Sequence, residues 1–428
     1  MEDTKFILSI DGGGFRGLIP AIILSEIEKR VTDEIKKRVT DEIKKEHQDV
    51  DIRCADLFDI MAGTSTGSII ALSLSIAEKN NRPKFNAESI VNFYKEHGYD
   101  VFPAYSNFNK VWSKTDKSST TSTEKEFIKV EENIKNITDV TEKKTDVITE
   151  KKTDVIIKNK TDATIKNETD ATIKNKVDAT ITENKTDITI STASKNTTIM
   201  AYLEAFAVAN NPWMPKYLPK PFEDLLEQSF KQTKLKDTIN DMIVIIPSYD
   251  ITNSEYILFT NNNIEHKELF MKDVIRASAA APTFFPAKQI GTNYFIDGGV
   301  FSNNPTVVAY LEAKKMYPNS KFVVVSLGTG YYKEPLECYK NCGIVQWLKP
   351  LINLLFNSEV DNHDTIMKHF AKFDGTRYFR IQLQLTKDDN TIDDASEKEA
   401  IKLTKLAYEA IDDPKNNFKE IIDLLVDK

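Results

Sequence analysis

The chain has 428 residues, with 57 Lys and Arg against 65 Asp and Glu for a formal charge of −8, and 40% of its residues are apolar. That is a globular composition with room for one large core or two smaller ones. The acidic balance excludes a nucleic-acid binder driven by phosphate neutralisation; no apolar run reaches the ~18 residues of a membrane-spanning helix, and the first residues lack a Sec-type leader.

The three cysteines, Cys54, Cys338 and Cys342, are too sparse for a disulfide framework and fit a reducing compartment, with no metal site expected. Either the cytoplasm or release by a non-Sec route is the expected location. The wealth of Lys, Asn and Ile suggests an AT-rich, often bacterial, genome.

In chain order, an apolar run at 5–10 predicts a strand. It ends in Asp11-Gly12-Gly13-Gly14-Phe15-Arg16-Gly17, and residues 18–29 follow with helical apolar spacing. A duplicated octad, 31–38 and 39–46, lengthens that helix. Residues 57–62 predict a second strand, Gly63-Thr64-Ser65-Thr66-Gly67 a tight turn, and residues 68–78 a second helix. Later strands are expected at 241–247, 256–260, 293–296 and 321–327, with helices at 272–280 and 306–316. The tail beyond Leu385 is charged and is expected to be helical over 394–411. Strands alternating with helices predict an α/β fold with a mainly parallel sheet.

One stretch breaks the alternation. Ser113 to Thr198 contains 16 basic and 16 acidic residues, a single aromatic (Phe127) and no Gly or Pro, and an octad resembling TDATIKNK recurs within it. An eight-residue period drifts by about 80° per repeat on an α-helix but keeps strand faces in register. With so few large apolar groups, disorder is the leading expectation, and a small β array or irregular helices the alternative. The insertion is a candidate binding surface for a protein partner.

Three glycine-bearing turns could carry chemistry. A serine at a sharp strand-to-helix turn needs small neighbours, which Gly63 and Gly67 supply around Ser65, and the helix N-terminus beyond it favours developing negative charge. Three consecutive glycines at Gly12, Gly13 and Gly14 let backbone N–H groups converge on an anion or oxyanion. The same loop also matches the dinucleotide fingerprint GxGxxG, although Asp11 would then set a carboxylate beside a pyrophosphate. The third turn, Asp297-Gly298-Gly299, ends a strand, where a carboxylate could face the carboxyl edge of the sheet, or the pair could be a plain Asp-Gly turn. Of the five histidines, His47 and His97 read as helix-end residues, while His363 or His369 could serve as the base of a Ser-Asp-His esterase.

Taken together, these motifs resemble the patatin-like phospholipases. Asn92 to Gly98, Ala279 to Pro286 and Ser326 to Gly330 resemble that family as well. The likeness covers most of 5–112 and 216–385. It implies a catalytic domain of residues 1–112 and 200–385 folded as a three-layer α/β/α sandwich, with 113–199 inserted and 386–428 as a C-terminal tail. It further implies Ser65 as nucleophile, Asp297 as base, and an oxyanion hole from the Gly13 and Gly14 amides with Gly12 or Phe15 beside them. Arg16 matches the basic residue of the glycine loop. The implied substrate is a phospholipid at a membrane surface, with no cofactor. Residues 343–356, with Trp347, and 212–218, with Trp213, mix aromatic, basic and aliphatic groups as interfacial segments do, although a core helix explains the first equally well.

Overall fold

Residues 4–10 read TKFILSI, and the last five are buried. Such continuous apolar runs suit strands covered by helices on both faces. In the structure, a computed structural model that describes residues 3–42, 51–102, 215–333, 336–337, 340, 344–386 and 391–428, this run is β1 (Thr4–Ile10), the centre of the sheet. Its parallel neighbours are β2 (Ile60–Gly63) and β7 (Lys321–Leu327), with Ile7 opposite both Ile60 and Val324. β3 (Ile243–Asp250) continues the parallel set beyond β2, and β8 (Arg377–Ile381) beyond β7. The octad array, Trp213, His47, Cys338 and Cys342 lie outside the described residues.

β3 overhangs β2, and antiparallel strands use the overhang. β4 (Glu255–Thr260) pairs along one side of it, and β6 (Asn293–Asp297), joined to β5 (Lys288–Ile290), pairs along the other. Ala62 is opposite Ile245 and Asp297 is opposite Ser248, further along the same strand. Strand β6 therefore returns Asp297 to the carboxyl edge just beyond the end of β2. That edge is where ligands collect in open parallel sheets.

Helices cover both faces, giving the three-layer α/β/α sandwich. On one face Ile7, Ile60, Ala62 and Ile245 pack with Val307 and Tyr310 of α8 (Thr306–Met316) and Met367 of α9 (Ile344–Asp374). On the other, α3 (Thr66–Ser75) lies against β1, β2 and β3, and α4 (Ala87–Val101) contacts both α3 and α1 (Leu18–Glu42). The shorter helices are α2 (Cys54–Leu57), α5 (Pro219–Phe230), α6 (Met271–Ser278) and α7 (Gly299–Ser302). Among the described residues, no helix is long and apolar enough to cross a membrane.

The stretch after Leu385 is more than a charged tail. It forms α10 (Glu397–Asp412) and α11 (Phe418–Val426), both packed on α1. Leu403, Ala407, Ile411, Phe418, Ile421 and Leu425 are all buried. These apolar positions fall three to four apart, one stripe of each helix, and burying a large aliphatic or aromatic side chain is worth about 1.5–3 kcal/mol.

Candidate active site

The Ser65 turn is built to hold an unfavourable backbone. Ser65 has a positive φ of 53° despite carrying a Cβ, a conformation costing about 1–3 kcal/mol that persists only when its surroundings impose it. They do so from three sides. The Ser65 N–H donates to Ser278 Oγ at 3.0 Å, and that hydroxyl in turn donates to the Pro247 carbonyl at 2.7 Å. The Ser65 carbonyl accepts from the Ser68 N–H at 2.9 Å and from Ser68 Oγ at 2.5 Å. Thr64 Oγ1 donates to the Ser302 carbonyl at 2.6 Å.

Both flanking glycines are required by contact. A Cβ on Gly63 would stand 2.0 Å from Gly67 O, and one on Gly67 would stand 2.3 Å from Ile10 O. Backbone cannot yield as a side chain can. Gly63→Ala is therefore expected to lower stability by about 2 kcal/mol or more, read by thermal unfolding, and to abolish ester hydrolysis in whatever protein still folds. A Gly63→Ala protein that unfolds and turns over like the parent would contradict this account of the turn.

The glycine loop leaves β1 beside this turn, because Ile10 and Gly63 are paired at the strand ends. Its hydrogen bonds divide the five residues expected around an oxyanion hole into two groups. The Gly12 N–H donates to Asn303 O at 3.0 Å, the Phe15 N–H to Ile392 O at 2.7 Å and the Arg16 N–H to Gly13 O at 3.2 Å. These amides are committed, which corrects the inclusion of Gly12 and Phe15 as donors and makes them framework. Among the described residues, the N–H groups of Gly13 and Gly14 have no partner. Gly14 has φ +60°, and a Cβ on it would lie 2.0 Å from Ile392 O, so both its conformation and its space call for glycine.

Arg16 serves the same framework. Its Nε lies 3.4 Å from Gly13 O, and burial draws its pKa down to about 10, which leaves it charged at neutral pH. Asp11 is turned away from the loop. It forms a buried two-pronged pair with Arg380 of β8, with 2.8 Å between Oδ1 and Nη1, and Arg380 Nη1 also donates to Ser326 Oγ at 2.8 Å. Burial raises the Asp11 pKa while the guanidinium opposes that rise. The loop thus lacks the free glycine amide run that a pyrophosphate would need.

Asp297 ends β6 with only 2% of its surface exposed. Its Oδ1 accepts the Gly299 N–H at 2.7 Å, and its carboxyl is hydrogen-bonded to the Ser65 side chain. Burial pushes its pKa up to about 7, against the pull of those two bonds. Here too the glycines permit close approach: a Cβ on Gly298 would meet Pro247 O at 2.3 Å, and one on Gly299 would be 3.1 Å from Asp297 Oδ1.

The histidine alternatives are placed elsewhere. His363 Nδ1 lies 2.8 Å from Asn304 O and contacts Glu359, whose Oε2 accepts the Asn304 N–H at 2.9 Å. The pair braces α9 to the turn after α7. His369 is exposed and bonds back to Thr365 O of its own helix at 2.8 Å. Neither lines the cleft that contains Ser65 and Asp297. His97, read from sequence as a helix-end residue, does line it, with Nδ1 2.9 Å from Asp100 Oδ2.

From Ser65 the cleft runs outward between aromatic walls that include Phe93, Phe102, Phe222, Phe284, Phe285 and Phe356. Two of these come from the 279–286 stretch, and Phe285 packs on Phe102 and Phe222 with ring centres 6.1 and 5.7 Å away. An apolar trough of this kind holds a hydrocarbon chain, with a few polar groups at one end to orient it. Trp213 falls outside the described residues, and in α9 the side chains are described only from Leu354, which with Leu355 is exposed.

A hydroxyl bonded to a buried carboxylate, with unpaired N–H groups on the same wall and an aromatic trough leading away, is equipment for acyl transfer from a long-chain ester. The chain belongs to the patatin-like phospholipase family, whose model matches residues 8–310, and so to a class of lipid acyl hydrolases acting on ester bonds. It is similar to patatin-like protein 2 of Oryza sativa subsp. indica, 26% identical over 446 residues that span 95% of this chain and 83% of the other. It is also similar to a Solanum tuberosum protein described as probable inactive patatin-3-Kuras 1, 22% identical over 94% of this chain and 84% of that one. Among solved structures, VipD from Legionella pneumophila aligns with a TM-score of 0.36 and 13% identity, over 99% of this chain and 67% of that chain. Since the family includes a member described as probably inactive, the chemistry of this chain rests on its own residues.

Proposed function

We propose that this protein hydrolyses the fatty-acyl esters of phospholipids, with Ser65 as nucleophile and Asp297 as general base. The observation that carries the reading is the bond between the Ser65 side chain and a buried carboxyl whose pKa is about 7. An aspartate at its ordinary pKa of about 4 is a feeble base, whereas one near neutrality combines the right charge with useful basicity.

The reaction follows from the groups in place. Ser65 Oγ attacks the ester carbonyl as its proton passes to Asp297, and the Gly13 and Gly14 N–H groups receive the oxyanion. The N-terminus of α3, which begins at Thr66, adds a favourable dipole. The lysophospholipid leaves with the proton from Asp297. Water, deprotonated by the same carboxylate, then frees the fatty acid from Ser65. No step calls for a metal or cofactor. The acyl chain lies in the aromatic cleft while the head group stays at the bilayer surface, where the protein acts peripherally, in the cytoplasm or after release by a non-Sec route. The catalytic body then comprises the patatin-like halves on either side of the 113–199 insertion together with α10 and α11.

A fluorophosphonate probe should modify Ser65, located by peptide mass spectrometry, and the protein should convert a mixed-chain phosphatidylcholine to lysophospholipid and fatty acid. A folded protein that is neither labelled at Ser65 nor productive on that lipid would overturn the reading.

A further inference from the structure

The stretch Ser326 to Gly330 spans the end of β7 and the turn beyond it and lies outside the 8–310 family match, yet it reaches the glycine loop. Thr329 is 2% exposed, and its Oγ1 donates to the Gly12 carbonyl at 2.7 Å. A Cβ on Gly13 would come within 2.2 Å of that hydroxyl, so Thr329 and the loop backbone are in direct contact. In a planar trans peptide the carbonyl of one residue and the N–H of the next point in opposite directions. Holding the Gly12 carbonyl therefore sets the direction of the Gly13 N–H. The Arg16 N–H and Nε, on Gly13 O at 3.2 and 3.4 Å, do the same for the Gly14 N–H.

The Gly12–Gly13 peptide needs such a clamp more than most. It is flanked by glycines on both sides and can rotate as a unit at little steric cost. A rotated peptide would present a carbonyl oxygen where an N–H is required. The other donor to Gly12 O, Asn303 Nδ2, is 3.4 Å away and weak at that distance.

We propose that Thr329 is a positioning residue for ester hydrolysis: its hydroxyl clamps the Gly12 carbonyl and so aims the Gly13 N–H at the oxyanion. The inference rests on the Ser65–Asp297 reading and gives the Ser326–Gly330 motif a role. The clamp acts on the transition state, because the oxyanion exists only there, and has little to do with ground-state binding of the lipid.

The test compares Thr329→Val, which keeps the shape and removes the donor, with Thr329→Ser, which keeps the donor, and Thr329→Ala as a second variant without a hydroxyl. Steady-state kinetics on a short-chain phosphatidylcholine should show kcat reduced about 10- to 100-fold in the Val and Ala variants, below the loss on deleting an oxyanion donor outright. KM should stay within about twofold, and the Ser variant should recover most of the rate. A parent-like kcat in Thr329→Val or Thr329→Ala, a loss confined to KM, or a Ser variant as slow as Ala, with the parent active and labelled at Ser65, would overturn this inference alone. A parent that neither turns over lipid nor takes the probe would overturn the Ser65–Asp297 reading and this inference with it.

Discussion

Ser65→Ala and Asp297→Asn are each expected to lower kcat for phospholipid hydrolysis by about 10⁴-fold or more, as loss of a nucleophile or its base does in serine hydrolases. Neither change should unfold the protein. The Ser65 turn is held by its backbone bonds to Ser278 and Ser68 rather than by its own hydroxyl. The side-chain amide introduced by Asp297→Asn would retain an oxygen to accept the Gly299 N–H. Far-UV circular dichroism alongside the kinetics separates chemistry from folding. His369→Ala should leave kcat unchanged, because that exposed ring only bonds back to Thr365 O of its own helix. His363→Ala should cost about 1–3 kcal/mol through the unpaired Asn304 carbonyl and Glu359 carboxylate, with kcat in the folded protein retained. Parent-like turnover in Asp297→Asn, or a collapse of kcat in His369→Ala, would replace the dyad by another base.

The second large effect is one of pH, and it takes opposite signs in activity and stability. Asp297 must be ionised to act, so kcat/KM should fall about tenfold per pH unit below the pKa of about 7 and level off above it. Stability moves the other way. A carboxyl with a pKa near 7 in the folded chain and near 3.8 when unfolded holds its proton more tightly in the native state between those values. The native protein therefore loses stability as pH rises from about 4 to 7, and above 7 it carries the full cost of a buried charge, about 4 kcal/mol at most. Asp297→Asn removes that cost. The inactive variant should be the more stable one at pH 8, by a few kcal/mol in denaturant unfolding, and the gain should shrink as pH falls and vanish only below about pH 4. An Asn variant no more stable than the parent at pH 8 would show that the carboxylate is better solvated than its burial implies.

This opposition has a simple origin. Basicity comes from desolvation, and desolvation of a charge weakens the fold that imposes it. The positive φ of Ser65 belongs with it, as local strain stored where the reaction takes place and held by bonds from Ser278, Ser68 and Thr64.

Much of the central fold is legible as periodicity. The runs at 5–10 and 321–327 predict β1 and β7 because a strand buried on both faces must be apolar throughout. The run at 306–316 coincides with α8. β8 is not legible, since Arg377-Tyr378-Phe379-Arg380-Ile381 carries two arginines at strand positions. Arg380 is tolerated there only because it meets Asp11, a residue 369 positions earlier. The tail after Leu385 suffers from the same blindness: its charge is plain, while the apolar stripes of α10 and α11 gain meaning only against α1. His97 reads as a helix end, and only the packing of α4 beside the glycine loop places it on the cleft wall.

The sequence by itself determined which turns could be sharp. Glycine and serine spacing encodes local backbone freedom, and the close approach of Gly63 to Gly67 O is a local consequence of that spacing, whereas Gly67 against Ile10 and Gly14 against Ile392 are tertiary contacts. What only the tertiary structure decided is which groups meet: Ser65 with Asp297, Thr329 with Gly12, and the Phe15 amide with Ile392 rather than with an oxyanion. Those pairings depend on strand order, on register and on the return of β6 along the overhang of β3. They are set by the burial of many side chains at once, a cooperative quantity that no short stretch of chain contains.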